Sequence, residues 1–347
     1  MVKKLISKGK FHRMNQLTTK EGIIDALALD QRGSLVKQMK QVASNEGKPF
    51  SMNMIYDFKE AVSEVLSPLA SAILLDEQMG FKAIKAKSPD TGLIMSYEKT
   101  GYDADTPGRL PSLLPDQSAQ IAVQRGANAL KVLVYYNPND PDSINDLKKA
   151  FAQRYGTEGL GADVPTFFEV VTYDDKYASD SLEFAKEKPQ LVLDSLKEFT
   201  KDKYHIDVLK MEVPFNPAFI EGWENNGQSA YSETEVGNYL KEMNNLVTRP
   251  FIFLSGGVPT DVFLRELKLA GKVGSNFSGV LSGRATWLES VDIFARDGRD
   301  ALVDWLKNKG TKNIEEITDI LNQTAKPWYT AYGSLDDIEV VDSGHVN

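Results

Sequence analysis

The chain has 347 residues, a formal net charge of -9 and no cysteine, and 26% of its residues are charged. An acidic chain without clustered Lys and Arg is a poor partner for nucleic acid, and the lack of cysteine excludes disulfides and thiolate chemistry. No run approaches the roughly 18–20 apolar residues of a membrane span, and the N-terminus lacks a signal-peptide core, so we expect a cytoplasmic globular protein without a membrane partner.

Eight short runs rich in β-branched and aromatic residues predict strands. In chain order they are 22–30, 70–76, 92–98, 129–136, 166–173, 207–213, 250–257 and 277–285. Amphipathic stretches of helical period lie between most of them and after the last, at 55–69, 116–127, 189–204, 232–246, 298–310 and 313–323. This alternation is typical of parallel βαβ units, and eight units predict an α/β fold of the (β/α)8 TIM-barrel type.

The chain shows no linker rich in Pro, Gly or Ser, which predicts a single domain. We expect residues 1–330 to form the barrel, preceded by an N-terminal helical segment, and residues 331–347 to form an acidic tail that is loose or docked on the surface. No GxGxxG follows the first predicted strand, which weakens a dinucleotide-binding alternative.

Ionisable residues interrupt the predicted strands where a barrel interior should be apolar. In barrels of this type the active site lies at the carboxyl ends of the strands, so these positions are candidates for it. Four strands contribute them: Asp30 and Gln31 end the first, Lys131 is in the fourth, Glu169 in the fifth, and Lys210 and Glu212 in the sixth.

Each of these residues also has a structural interpretation. Asp30 could cap a loop, Glu212 could be the partner of a buried cation, which we favour, and Lys210 could be half of a salt bridge. Taken together, so many desolvated charges on neighbouring strands favour a functional site, because branched apolar residues would fill a barrel at lower cost.

Two lysines and a carboxylate in one partly dry pocket suit imine chemistry. Burial and nearby positive charge disfavour the ammonium form, so a lysine there can attack a ketone as the neutral amine. A neighbouring carboxylate can then move protons during C–C bond cleavage. The rival, metal-assisted enolate stabilisation, usually draws on several imidazoles, and this chain has only three histidines. We expect no metal and no cofactor, although a Mg²⁺ held by carboxylates stays open at this point.

The last two predicted strands end in glycine-containing loops. Ser255 and Gly256 follow the seventh strand, and Gly283 and Arg284 follow the eighth. Loops in these places often hold a phosphate through backbone N–H groups in (β/α)8 enzymes, because glycine lets the backbone approach a ligand. These residues therefore predict a site for a phosphorylated ligand.

Residues 15–330 resemble the class I tagatose-1,6-bisphosphate aldolases of bacterial lactose and galactose catabolism. The stretches that carry the resemblance are "ALALDQRGSL", "YEKTGYD", "FFEVVTYD", "DVLKMEVP" and "GVLSGRATW". The resemblance implies a Schiff-base barrel that cleaves a phosphorylated ketose, D-tagatose 1,6-bisphosphate, to dihydroxyacetone phosphate and D-glyceraldehyde 3-phosphate.

The resemblance also assigns roles. It makes Lys210 the imine-forming lysine and Glu169 the proton shuttle, with a homo-oligomer, dimer or tetramer, as the expected assembly. The remaining candidates would bind substrate. The hydroxyls or reacting carbons would contact Asp30, Gln31 and Lys131. The ketose phosphate would be held by Ser255, Gly256, Gly283 and Arg284. Two alternatives stay open, namely an aldolase for another ketose phosphate such as fructose 1,6-bisphosphate, and a regulatory barrel that only binds a sugar phosphate.

Overall fold

Eight parallel strands close into a barrel in the computed structural model, which describes residues 3–224 and 227–345. Each barrel strand pairs with the next along the chain, and the last pairs with the first. The strands are β1 Lys4–Ser7, outside the barrel, then β2 Ile24–Ala28, β3 Ala72–Leu75, β4 Gly92–Ser96, β5 Ala129–Tyr136, β6 Thr166–Thr172, β7 Val208–Met211, β8 Phe251–Leu254 and β9 Gly279–Ser282 in it, and β10 Ile338–Val341 outside. The predicted (β/α)8 barrel is confirmed, and each predicted run contains one barrel strand.

Helices lie between the barrel strands, before the first of them and after the last. They are α1 Lys8–Gln16, α2 Gly33–Asn45, α3 Met52–Leu66, α4 Glu77–Ala86, α5 Ala119–Gln124, α6 Asp142–Gly161, α7 Leu182–Phe199, α8 Glu233–Leu246, α9 Thr260–Lys272, α10 Arg284–Trp287, α11 Ser290–Asp297, α12 Arg299–Trp305 and α13 Thr311–Thr324. The sequence predicted one helix between the first two barrel strands, where the structure has α2 and α3. Within the described ranges, no helix has the length and apolar content needed to cross the bilayer.

Side-chain alternation along the strands divides the core in two. One set of residues, such as Leu209 and Met211 of β7, packs outward against the helices. The alternate set points into the barrel, where Val208, Phe167 and Ile252 belong to a separate apolar cluster. This apolar cluster fills the barrel toward the amino ends of the strands. Charged residues further along the same strands therefore lie at the carboxyl ends, with apolar side chains beneath them.

The two ends of the chain meet outside the barrel. Strands β1 and β10 run parallel, with Lys4 opposite Ile338 and Ser7 opposite Val341. Ile338 is buried, and together with Trp328 it joins the inner apolar cluster. The sequence analysis predicted a helix near the N-terminus but neither of these strands, because each is four residues long and its partner lies at the opposite end of the chain.

Glu266 of α9 is a buried carboxyl on the outside of the barrel. It is 2% exposed, and burial raises its pKa to about 8 although the charge of Lys188 opposes the shift. Lys188 also forms an ion pair with Glu212, at 3.2 Å. Glu266 therefore keeps its proton in the folded protein at pH values where an exposed glutamate has lost it.

We predict that Glu266→Gln flattens the pH dependence of stability. A folded-state pKa above the unfolded one makes the folded protein bind more protons, so wild-type stability falls as the pH rises from about 5 to about 8. Glutamine has no proton to lose, so the stability of the variant lacks this dependence on pH. Thermal unfolding at several pH values checks it: the melting temperature of the wild type should fall more steeply than that of the variant. Glu315→Gln, at an exposed position of α13, is the matched control. Parallel curves for wild type and Glu266→Gln would contradict the prediction.

Candidate active site

Two adjoining cavities open at the carboxyl ends of the barrel strands. We call the first the Arg109 lobe, of about 340 Å³, which Asp30, Lys99 and Arg109 help to line. The second is the Gly256 lobe, of about 220 Å³, lined in part by Ser255 and Gly256. The residues that line both lobes are Gln31, Leu133, Tyr135, Glu169, Lys210 and Arg284. The two lobes therefore form one elongated cleft with Lys210 and Glu169 at its junction.

Lys210 and Glu169 face each other across two neighbouring strands. They are register partners in the β6–β7 pair, so both side chains project to the same side of the sheet, here into the barrel. Lys210 Nζ lies 2.9 Å from Glu169 Oε1, and the two residues are 4% and 6% exposed. The predicted amine and carboxylate thus share one nearly dry contact.

Lys131 of β5 lies at the centre of three carboxylates. Its Nζ is 2.7 Å from Glu169 Oε2, 2.9 Å from Asp30 Oδ2 and 3.2 Å from Glu98 Oε1. Glu169 therefore contacts one lysine through each of its oxygens. This bridge joins Lys131 to Lys210 and holds the carboxylate in place from both sides.

The surrounding charges fix the protonation of this cluster. Burial acts to raise the pKa of Glu169, but the attraction of Lys131 and Lys210 outweighs it, so the pKa lies below its usual value. The same balance between burial and the two lysines lowers the pKa of Asp30. Burial also disfavours the ammonium of Lys131, yet Asp30, Glu169 and Glu98 raise its pKa well above the ordinary range. At neutral pH Glu169 is therefore a carboxylate and Lys131 an ammonium.

Glu98 and Arg32 belong to the cluster but were missed in the sequence analysis. Arg32 Nη2 lies 3.1 Å from Glu98 Oε1, and Arg32 Nη1 donates to the Glu98 carbonyl at 2.9 Å. Burial raises the pKa of Glu98 against the opposing charges of Lys131 and Arg32. The observed strands end before both residues, where strand periodicity no longer predicts direction. Glu98 is the last residue of the predicted run 92–98, so its charge at a strand end was a signal that the sequence analysis did not use. For Arg32 the signal was its place inside "ALALDQRGSL", one of the stretches that carry the family resemblance.

The Gly256 lobe contains all four residues predicted to hold a phosphate, Ser255, Gly256, Gly283 and Arg284. Gly256 and Gly257 have φ of 59° and 86°, a left-handed conformation that favours glycine. A Cβ at residue 257 would lie 2.6 Å from Arg284 Cζ, so this glycine makes room for the guanidinium. Arg284 Nη2 donates to the Gly256 carbonyl at 3.3 Å. The two loops thus bring a cation and glycine backbone together in the Gly256 lobe, on the side where it meets the Arg109 lobe.

Glu212 lies in the wall of the Gly256 lobe but is already engaged. It forms an ion pair with Lys188 at 3.2 Å and accepts hydrogen bonds from the backbone N–H and hydroxyl of Thr172, each at 2.7 Å. Both ion-pair partners are only 13% exposed. This arrangement agrees with the interpretation of Glu212 as the partner of a buried cation.

The carboxylates of the cleft converge on an ammonium group. Asp30, Glu98 and Glu169 all contact Lys131, which takes the central position that a divalent cation would need. In the part of the chain that the structure describes, no group of three or more His, Asp and Glu side chains is placed to hold a metal ion. An ammonium group therefore occupies the centre of these three carboxylates.

Sequence comparisons relate the chain to known aldolases. The family model described as "DeoC/LacD family aldolase" matches residues 24–289. A tagatose 1,6-diphosphate aldolase of Listeria monocytogenes is 46% identical over 338 residues, covering 97% of this chain and 98% of the relative. Tagatose 1,6-diphosphate aldolase 2 of Enterococcus faecalis is 46% identical over 325 residues, covering 93% and 97%. The similarity thus spans the barrel and both flanking segments.

Solved structures support the fold. A fructose-bisphosphate aldolase from Plasmodium falciparum superposes with a TM-score of 0.65 at 12% identity, covering 94% of this chain and 99% of that chain. A protein from Corynebacterium glutamicum superposes with a TM-score of 0.55 at 15% identity, covering 89% and 92%. At such low identity these structures establish the shared barrel and nothing finer.

The bridge generates a prediction about stability. Lys131→Met should destabilise the protein by about 3–5 kcal/mol, because Asp30, Glu98 and Glu169 lose the ammonium at their centre. Lys210→Met should be far milder, since Glu169 keeps its contact with Lys131 and methionine replaces a buried amine with an apolar chain of similar length. Urea unfolding of the wild type and the two variants measures the difference. A Lys210→Met variant less stable than Lys131→Met would contradict this account of the cluster.

Proposed function

The chain belongs to the DeoC/LacD family of aldolases, and from that premise we propose that it is a class I, Schiff-base aldolase for D-tagatose 1,6-bisphosphate. The reaction is the reversible cleavage of this ketose to dihydroxyacetone phosphate and D-glyceraldehyde 3-phosphate. The observation that carries the proposal is the buried contact of 2.9 Å between Lys210 Nζ and Glu169 at the junction of the cleft. The choice of D-tagatose 1,6-bisphosphate as the substrate follows the names of the relatives, which are tagatose 1,6-diphosphate aldolases.

Imine formation is the first chemical step. Glu169 accepts a proton from the Lys210 ammonium with which it is in contact, and the freed lone pair attacks C2 of the ketose. The C2 oxygen takes protons and leaves as water, which gives a protonated imine. Lys131 stays charged beside Glu169 and favours the carboxylate, so Glu169 passes the proton on to the C2 oxygen and does not keep it.

Cleavage breaks the C3–C4 bond. The bonding electrons move into the protonated imine to form an enamine, while Glu169 accepts the proton of the C4 hydroxyl and C4 becomes the aldehyde carbon of D-glyceraldehyde 3-phosphate. Protonation of the enamine at C3 and hydrolysis of the imine release dihydroxyacetone phosphate and restore the Lys210 amine. We assign Asp30, Gln31 and Lys131 to the substrate hydroxyls and reacting carbons.

The ketose phosphate next to C2 belongs in the Gly256 lobe. Arg284 supplies the positive charge, and Ser255, Gly256 and Gly283 supply hydroxyl and backbone N–H donors on the two loops. The glycine conformations at 256 and 257 support this assignment because they keep the backbone uncovered by side chains. This end of the cleft adjoins Lys210, as a phosphate on C1 requires.

The proposed chemistry uses no metal ion or cofactor. The protonated imine is the electron sink that a metal ion would otherwise provide for the developing carbanion. The cytoplasmic location and the homo-oligomer expected from the sequence stay predictions.

Substitutions of Lys210 and Glu169 test the mechanism. Lys210→Met should abolish cleavage, because the other lysine in contact with Glu169, Lys131, is held among three carboxylates and lines the Arg109 lobe but not the Gly256 lobe. Glu169→Gln should lower kcat by about 10²- to 10⁴-fold, since an amide keeps the shape of the side chain but cannot carry the proton. A coupled assay that detects D-glyceraldehyde 3-phosphate measures both. Near-normal turnover by Lys210→Met would overturn the proposal.

Chelation tests the metal-independent part. We expect EDTA to leave kcat and KM for the bisphosphate unchanged after prolonged dialysis. A class II, metal-dependent aldolase treated in parallel is the positive control for metal removal. Loss of activity that Zn²⁺ or Mg²⁺ restores would replace the imine with a metal-bound enolate as the central intermediate.

A further inference from the structure

The proposed substrate carries two phosphates, and the Gly256 lobe accounts for one. We propose that Arg109 is the residue that binds the second phosphate, the one on C6, in the Arg109 lobe. The inference rests on the proposed function, because it extends the same substrate along the same cleft. It adds a binding residue on the loop between β4 and α5, where the sequence analysis singled out no site residue.

The shape of the cleft sets the direction. With C2 bound to Lys210 and the C1 phosphate in the Gly256 lobe, the remaining carbons have to extend away from that lobe. The Arg109 lobe adjoins it through the shared residues Lys210, Glu169 and Tyr135. The C6 phosphate therefore enters the lobe that Arg109 and Lys99 line.

The rings of three tyrosines surround the Arg109 guanidinium. Its guanidinium lies 4.1 Å from the ring centre of Tyr173, 5.5 Å from that of Tyr102 and 5.8 Å from that of Tyr135. Aromatic faces attract a guanidinium while its N–H groups stay free to bond an anion. Of the five N–H donors of a guanidinium, one is used in a hydrogen bond within residues 3–224 and 227–345, toward Asp175 at 2.9 Å.

The Tyr173 ring, against which the Arg109 guanidinium stacks, is held in place by buried contacts. The Tyr173 hydroxyl bonds to Asp140, and Lys148 Nζ donates to the same hydroxyl at 3.0 Å. Tyr173 is 3% exposed and Lys148 is fully buried. A guanidinium stacked on an immobile ring loses little conformational freedom when an anion binds, which favours affinity.

Arg109 shares the lobe with four other cations, Arg32, Lys99, Lys131 and Arg284. Arg32 and Lys131 are paired with buried carboxylates, and Arg284 is assigned to the C1 phosphate where the two lobes meet. The partner of Arg109, Asp175, is 67% exposed at its side chain, and exposed ion pairs of this kind contribute little to stability. The Asp175 carboxylate occupies one guanidinium N–H as a phosphate oxygen would, so a phosphate can replace it.

The backbone supports a dedicated role for this residue. Arg109 has φ of 50°, a left-handed conformation unfavourable for a side chain with a Cβ, and it follows Gly108 at 92°. A Cβ on Gly108 would lie 2.4 Å from Ile144 Cγ2, so the loop packs tightly on α6 at this point. The loop keeps a strained residue where a glycine would fit more easily, which is typical of positions that bind a ligand.

The experiment compares two substrates that differ only in the second phosphate, D-tagatose 1,6-bisphosphate and D-tagatose 1-phosphate. Arg109→Ala should lower kcat/KM for the bisphosphate by about 10- to 150-fold, the effect of one charge-assisted phosphate contact. For the monophosphate the change should stay within about threefold, because that substrate never contacts Arg109. Arg109→Lys should fall between wild type and Arg109→Ala.

Two further variants calibrate the comparison. Arg284→Ala should lower kcat/KM for both substrates, since both carry the C1 phosphate. Arg296→Ala removes a surface arginine of α11 that is 54% exposed and paired with Asp297, and should affect neither substrate. These variants separate loss of one phosphate contact from general effects of removing a positive charge.

Three results would overturn the inference. An equal fall in kcat/KM for both substrates in Arg109→Ala would mean that Arg109 only shapes the loop and the packing of the neighbouring tyrosine rings. No loss for either would place the C6 phosphate elsewhere. A wild-type protein that cleaves neither substrate and forms no borohydride-trapped adduct with dihydroxyacetone phosphate would overturn the proposed function itself, and this inference with it.

Discussion

A single carboxylate between two buried lysines organises the whole site. Glu169 contacts Lys131 through one oxygen and Lys210 through the other, at 2.7 and 2.9 Å. Without Lys131 the desolvated carboxylate would keep one partner only, and without Glu169 both lysines would lose the carboxylate that they share. The bridge holds a carboxylate that can carry protons against Lys210, and Lys131 keeps that carboxylate ionised. Structure and proposed chemistry therefore depend on the same contact.

The strand geometry of the barrel places Glu169 and Lys210 side by side, and the sequence pattern predicts that both point inward. Parallel strands that alternate with helices identify the closed barrel, and strict side-chain alternation then decides which residues point inward. Lys210 and Glu169 share the inward face with the apolar Val208 and Phe167, two positions earlier on each strand. Local sequence was sufficient for these residues because the regular strand geometry carries their direction.

Other parts of the site depend on contacts that local sequence does not contain. Glu98 and Arg32 follow strand ends, where loop conformation sets direction. Arg109 lies in an irregular loop, and its position over Tyr173 brings together residues of two loops. The strand pair formed by β1 and β10 requires a partner from the other end of the chain. Such pairings are selected by the completed fold, so periodicity and propensity do not predict them.

Borohydride trapping followed by peptide mapping tests the central claim most directly. The protein is incubated with dihydroxyacetone phosphate, reduced, digested and analysed by mass spectrometry, so that any imine becomes a stable mass increase on one peptide. The account predicts a single adduct on Lys210. An adduct on Lys131, or no adduct under conditions in which the protein cleaves its substrate, would contradict it and make Lys210 a structural partner of Glu169.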